Sequence, residues 1–338
     1  ETLLRDLAYV NVIQNPLLAR FNTFATDNTL VEWVMDSIDD PRPTGVKTIA
    51  DIEGTLENAE FDPAQPANRI RIGNYNHIMA KSFRVTDTQR LMNEVAIGDE
   101  YDHQVWRNSL ALMNLAEFNL IWSQGQVGSE AAVRTMHGLL EFASNASSAG
   151  FSFGGLVCPS PFLSTWVAGT NNNLTPAQLY DDLLSPFWQK GNNIDGCLCV
   201  VGAKLKRIIS QFAMVYSGSG ATLTARPLNE REISASDNKI IEGIDIFQTD
   251  VGPLNVNTHQ YMTGTFSYSD MGPAGGAVTA DDTMLVFDPS FFDVGVIQGP
   301  HVIPLARVGL TSQAAIAINI TLTCRNPRAI AGGTDLTS

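Results

Sequence analysis

PAQPANRIRIGNYNHIMAKSFRVT, residues 63–86, contains no Asp or Glu, although the 338-residue chain around it carries 35 acids against 21 Lys and Arg. Arg69, Arg71, Lys81 and Arg84 fall inside it. Just upstream, residues 27–62 hold a run of acids that includes Asp36, Asp51 and Glu53, with Arg42 and Lys47 as the bases. RIRIGNYNHI and AKSFRVT alternate apolar and polar residues as strands do, so the pattern predicts a two-stranded hairpin, an arm rather than a core. A hairpin alone is marginal in water and needs a surface to lie on. No neighbouring segment offers an obvious apolar platform.

Working outward, residues 97–124, IGDEYDHQVWRNSLALMNLAEFNLIWSQ, carry a helical stripe through Ile97, Tyr101, Val105, Leu112, Ala116 and Leu120. Asp99 and Glu100 fall in its first turn, where the helix dipole favours acids, and Gly125 follows as a stop. A shorter helix is predicted over 129–144. Upstream, the first residues have a helical flavour that Asn15-Pro16 interrupts, and NTLVEWVMDSI (28–38) alternates as a half-buried strand. Thr175-Pro176-Ala177-Gln178 is a capping box that opens the helix PAQLYDDLL, which Pro186 should end or kink. GCLCVVG (196–202) follows as a buried strand, AKLKRIISQFA (203–213) as a basic amphipathic helix, and 240–250, 253–262, 282–288 and 314–324 as further strands. The second half is thus a mixed α/β region.

Composition narrows the function. A hydrophobic fraction of 44% with 17% charged residues describes a globular chain able to bury a sizeable core in one large or two smaller domains. The longest apolar stretches, such as Leu110 to Trp122, fall short of the roughly 20 residues a membrane helix needs. The opening residues lack a basic leader followed by an apolar run, so no secretory signal is expected there. Cys158, Cys197, Cys199 and Cys324 include no C-x-x-C pair and read as buried, reduced thiols. A net charge of −14 argues against specific nucleic-acid binding, which needs concentrated Lys and Arg.

Catalytic signatures are missing. There is no GxxxxGK[ST], no G-x-S-x-G and no HExxH, and MGPAGGA (271–277) lacks dinucleotide-binding spacing. The five histidines are scattered singly. Adjacent helical residues point about 100° apart, so Asp181 and Asp182 cannot converge on one atom, and Asp281-Asp282 is no stronger a site. No catalytic residue, metal or cofactor is expected.

TLVEWVMDSI, RIGNYNHIMAKSFRVTDTQR, IDIFQTDVGPLNVNTHQYM, MLVFDPSFFDVGVIQGPHVIPLARVGL and AINITLTCRNPRAIAGG, in that order, resemble the major capsid (major head) proteins of tailed bacteriophages with the Hong Kong 97-like fold. The resemblance implies an α+β fold. Its parts are an N-terminal arm (1–44), an extended β-hairpin loop (45–90), a peripheral domain with the spine helix 97–124 (91–169), an axial α/β domain (170–285) and return strands (286–338). It also implies a structural role. Copies of the chain would form hexamers and pentamers of an icosahedral virion shell, assembled in the host cytoplasm around double-stranded DNA that is not read by sequence. Minor capsid or decoration proteins and a portal would be further partners.

On that reading the basic arm lies on an acidic surface of an adjacent copy, either the Asp36, Asp51 and Glu53 region or the spine-helix start at Asp99, Glu100 and Asp102. Arg69, Arg71, Lys81 and Arg84 would set register while Ile70, Ile72, Tyr75, Ile78 and Phe83 bury apolar surface. The alternative is that these charges are solvated or pair within their own chain. Lys47 and Lys81 lie on or near the arm, but nothing marks a covalent cross-link there. Two other readings stay open, an encapsulin-like nanocompartment shell and a soluble α/β metal-dependent hydrolase.

Overall fold

Asp99 starts the longest helix as its position predicts. Its carboxylate accepts from the Tyr101 N–H at 2.9 Å, and Glu100 and Asp102 fill the first turn. The computed structural model describes residues 15–36, 69–92, 98–144, 152–158, 162–212, 214–217, 224–227, 246–268 and 276–337. Within it the helix runs Glu100–Trp122, 23 residues or about 34 Å. It packs on a four-stranded sheet ordered Asn22–Ala25, Phe292–Leu305, Thr311–Cys324, His77–Thr86. Leu112, Leu120 and Ile121 on the helix meet Ile72, Met79, Ile316 and Ile318 in one core.

The predicted hairpin is corrected. Ile70–Tyr75 and His77–Thr86 do not pair with each other. Ile70–Tyr75 pairs antiparallel with Leu30–Met35, and His77–Thr86 pairs antiparallel with Thr311–Cys324. The chain passes through Asn76 without reversing, because its backbone groups there are held from elsewhere. Tyr75 O accepts from Thr321 Oγ1 (2.9 Å), Asn76 N donates to Thr29 O (2.8 Å) and Asn76 O accepts from Arg134 Nε (2.7 Å). The Asn74 amide bonds both Leu322 O and His137 O. The missing platform is therefore the chain's own late strands and long helix.

The helix expected over 129–144 forms only at Leu139–Ser144. Asn74 takes the backbone N–H and C=O of His137, and Gln126 and Thr135 exchange both their backbone bonds, so the groups a helix would use are already committed. A Cβ at Gly138 would stand 2.9 Å from Ile121 O, which reserves the position for glycine. The strand expected over 28–38 is described as Leu30–Met35. Pro16 opens the one-turn helix Pro16–Arg20, and residues 1–14 lie outside the described residues.

The second core belongs to a mixed six-stranded sheet, ordered Ile246–Thr249, Gly252–Thr258, Leu198–Val201, Met284–Phe287, Ile330–Thr337, Thr165–Asn173. Its central strands Leu198–Val201 and Met284–Phe287 are buried throughout, as unbroken apolar runs require. Helix Ala203–Gln211 packs Leu205 and Ile209 against them. The Thr175 capping box is formed, with both bonds at 3.2 Å. Pro186 does not end the helix. The chain widens to π-type turns over Leu179–Leu184 and resumes as Ser185–Gln189, an adjustment that absorbs the missing proline N–H. All four cysteines are buried free thiols, and burial pushes Cys158 up to about 11 and Cys197 to about 12.

Glu117 ties distant segments together. Wholly buried on the long helix, it accepts from the backbone N–H groups of Leu17 (2.8 Å) and Leu18 (2.9 Å) and from His259 Nε2 (3.0 Å). His259 Nδ1 accepts from Tyr261 N at 3.2 Å, which puts the ring proton on Nε2.

Candidate intersubunit surface

The basic stretch divides into a half held by its own chain and a half that shows surface. Ile72 is wholly buried, so it cannot touch a neighbour, and this corrects its expected role. Ile70 is half-buried against the same core, and the half-buried Tyr75 ring lies 6.0 Å from that of His137. Arg69 Nε stands 3.5 Å from Asp36, and Arg71 reaches Glu32 at 3.1 Å, both across the Leu30–Met35/Ile70–Tyr75 ladder. The own-chain alternative thus describes the pairing of these two arginines.

Along His77–Thr86 the alternation separates two faces. Met79 and Val85 are buried, while Ile78 is 51% exposed and Ala80, Ser82 and Arg84 are exposed with it. Phe83 is half-buried, packed edge-on to Tyr101 at 5.3 Å. Lys81 is half-buried, and neither it nor Arg84 makes an ion pair among the described residues. At the helix start, Asp99 pairs with Arg90 (3.0 Å), whose hydrogen bond holds the carboxyl below its usual range. Glu100 accepts from Gln104 Nε2 at 2.6 Å, and Asp102 is exposed. Asp51, Glu53 and Lys47 lie outside the described residues.

A second surface was missed by the sequence reading. Phe292–Leu305 and Thr311–Cys324 form a long hairpin whose far end is exposed and apolar: Leu305 41%, Val308 63% and Leu310 77% exposed. Leu91 (87%) and Met92 (60%) stand at the same end, because Asp87 binds Arg307 through both carboxylate oxygens and donates its backbone N–H to Leu310 O at 2.9 Å. Gly309 makes the turn in the left-handed region, φ 61°. The available signal was VIPLARVGL, a mostly apolar turn where a hairpin in water usually carries polar residues.

The polar clusters do structural work. His137 Nδ1 meets Glu141 at 2.8 Å, and the same carboxylate accepts from Gly125 N. No group of three or more metal-ligating side chains occurs among the described residues, and no described helix is long and apolar enough to cross a membrane.

A long helix laid on a four-stranded sheet, joined to a separate mixed sheet with its own core, defines the Hong Kong 97-like class of shell proteins. The solved structures that the chain resembles bear this out. They include the capsid of cyanophage A-1(L), at 12% identity and a TM-score of 0.63 over 100% of this chain and 97% of that one. The capsid of a native GTA particle matches at 12% and 0.58 over 98% and 95%. The holo-SrpI encapsulin of Synechococcus elongatus matches at 9% and 0.54 over 100% and 93%. Identities this low speak for the fold alone. No curated protein matches the sequence. Residues 1–337 match the family described as SU10 major capsid protein, and the chain belongs to that family. It is a structural subunit of the virion capsid that associates with its own copies in capsomers, and not an enzyme.

Proposed function

We propose that copies of this chain form the hexamers and pentamers of an icosahedral phage head that closes around double-stranded DNA. The observation that carries this is the family match over residues 1–337. The net charge of −14 supports it: an acidic wall grips phosphates at few points, so a packaged duplex slides and later leaves without being read by sequence. A portal and minor capsid or decoration proteins complete the proposed assembly.

The proposed division is an N-terminal arm (1–44), an extended loop (45–90), a peripheral domain (91–169), an axial domain (170–285) and return strands (286–338). The two separate cores support the peripheral and axial parts. Met35 pairs with Ile70 and Asp36 with Arg69, so the described residues on either side of the proposed loop's tip lie side by side, which supports that reading. Asn22–Ala25 and His77–Thr86 belong to the four-stranded sheet of their own chain.

In this reading Arg84 and Lys81 face the acids of an adjacent copy, Asp51 and Glu53 among them. Each exposed pair contributes about 0–1 kcal/mol, enough to set register, while apolar burial by Ile78 and the hairpin end holds the contact. Negative-stain electron microscopy of the purified protein should show closed megadalton shells. A monodisperse 36.6 kDa species at all concentrations would overturn the proposal. The encapsulin structure supports a second reading, a shell around protein cargo. Nucleic acid or cargo protein inside purified particles separates the two.

A further inference from the structure

The long hairpin has an outer edge, and its protection changes along the strand. On one side Phe292–Leu305 is covered by Thr311–Cys324 over its length. On the other, Asn22–Ala25 covers only Asp293 to Val296, with one further bond from Thr26 N to Val296 O at 3.1 Å. Beyond that point no described strand pairs with the edge, and most residues from Gln298 onward are exposed. An exposed edge bearing Val302 and Ile303 is a template for another chain's strand, and a shell protein crowds many identical copies together.

The sequence here is GVIQGPHVIPL, residues 295–305. The register slips twice, between Val296 and Gln298 and between Gln298 and His301, so the strand bulges at both places. Pro304 then stands opposite Ala314. A hydrogen-bonded antiparallel pair needs an N–H from each member, and Pro304 has none, so this is the non-bonded kind of pair and Pro304 turns its backbone N and O outward. Val302, two residues back, turns the same way. Pro300 lies in the second bulge and also has no N–H. Of residues 300, 302 and 304, only Val302 can donate to an incoming strand.

We infer that Pro300 and Pro304, with the two bulges, are specificity determinants of assembly: they close this edge to strand addition, so that copies join through side chains rather than by pairing their hairpins. The opposite edge of the sheet, His77–Thr86, has no proline in ten residues and carries Lys81 and Arg84, the other usual protection of an exposed edge. The inference rests on the shell function, and its test reads the edge independently of it.

The test compares the full chain with a P300T/P304V variant. Pro304→Val adds an N–H that faces solvent and leaves the pairing with Ala314 unchanged. The variant should lose most of its soluble subunit to sedimenting, non-shell material with a stronger intermolecular β-sheet band in the infrared. Adding V302K, which places a charge on the same edge, should return the protein to solution and to whatever assembly the parent makes. The parent's own solubility and shell yield under the same conditions report separately on the shell function. A double variant as soluble as the parent would overturn the inference. So would aggregation that V302K does not reverse, because that marks misfolding rather than an opened edge.

Discussion

The two halves of the long helix differ more than their sequences suggest. From Leu112 to Trp122 it buries Leu112, Ala116, Glu117, Leu120, Ile121 and Trp122, whereas no residue from Glu100 to Ala111 is buried and Trp106 is 45% exposed. One half lies in the subunit's own core. The other stands beside the exposed ends of His77–Thr86 and the long hairpin, where the proposed neighbour docks. On that proposal stability concentrates at one end of the rod and assembly at the other, and substitutions at the two ends should report different things.

The largest effect is expected at Glu117. Glu117→Ala leaves two backbone N–H groups and the His259 N–H without an acceptor in a dry site, and should cost about 3–5 kcal/mol in urea unfolding of the unassembled subunit. A loss under about 1 kcal/mol would end the claim that this half anchors the fold. Next, Leu112→Ala should cost about 2–5 kcal/mol through the cavity it opens, while Leu310→Ala stays within about 0.5 kcal/mol yet lowers shell yield by light scattering. Equal destabilisation at the two positions would erase the contrast.

Acid should act on the buried half as well. Desolvation lowers His77 from 6.5 to about 4, so the unfolded chain binds a proton that the folded one refuses between those values. The stability this gives is complete above about pH 6.5 and is lost as pH falls toward 4, about 3 kcal/mol in all. His77→Gln should flatten that part of the profile in unfolding measured against pH. The surface charges should matter little to the subunit's own stability. Reversing Arg69, Arg71 and Arg84 to Glu should change subunit stability by under about 1 kcal/mol for each of the two exposed pairs, Arg69–Asp36 and Arg71–Glu32, and Arg84 has no ion pair to lose among the described residues. Its consequence is read in shells by electron microscopy, and normal shells would remove the register role proposed for Arg84.

Much of the fold was legible in residues alone. The helical stripe with Asp99 at its head, the capping box at Thr175 and the buried run at Cys197–Val201 are local patterns, and local geometry suffices to realise them. The basic stretch was legible as strand but not as to its partner. Its period of two says which residues share a face, and both a hairpin and the observed switch between sheets satisfy that. Asn74 and Tyr75 settle the matter through Leu322 and Thr321, some 250 positions away. The exposed hairpin end escaped notice because an apolar run such as VIPLARVGL does not tell from its own composition whether it is covered.

By itself the sequence determined the long helix, the alternation of the strands, the acidic surface and the absence of catalytic motifs, because each depends on neighbours a few positions apart or on composition. Only the tertiary structure decided that Ile72 is buried while Ile78 is exposed, that 129–138 is not helical, and that Pro304 faces outward. Those outcomes depend on which distant segments supply the partners for each backbone group and each apolar face, and no local pattern encodes that choice.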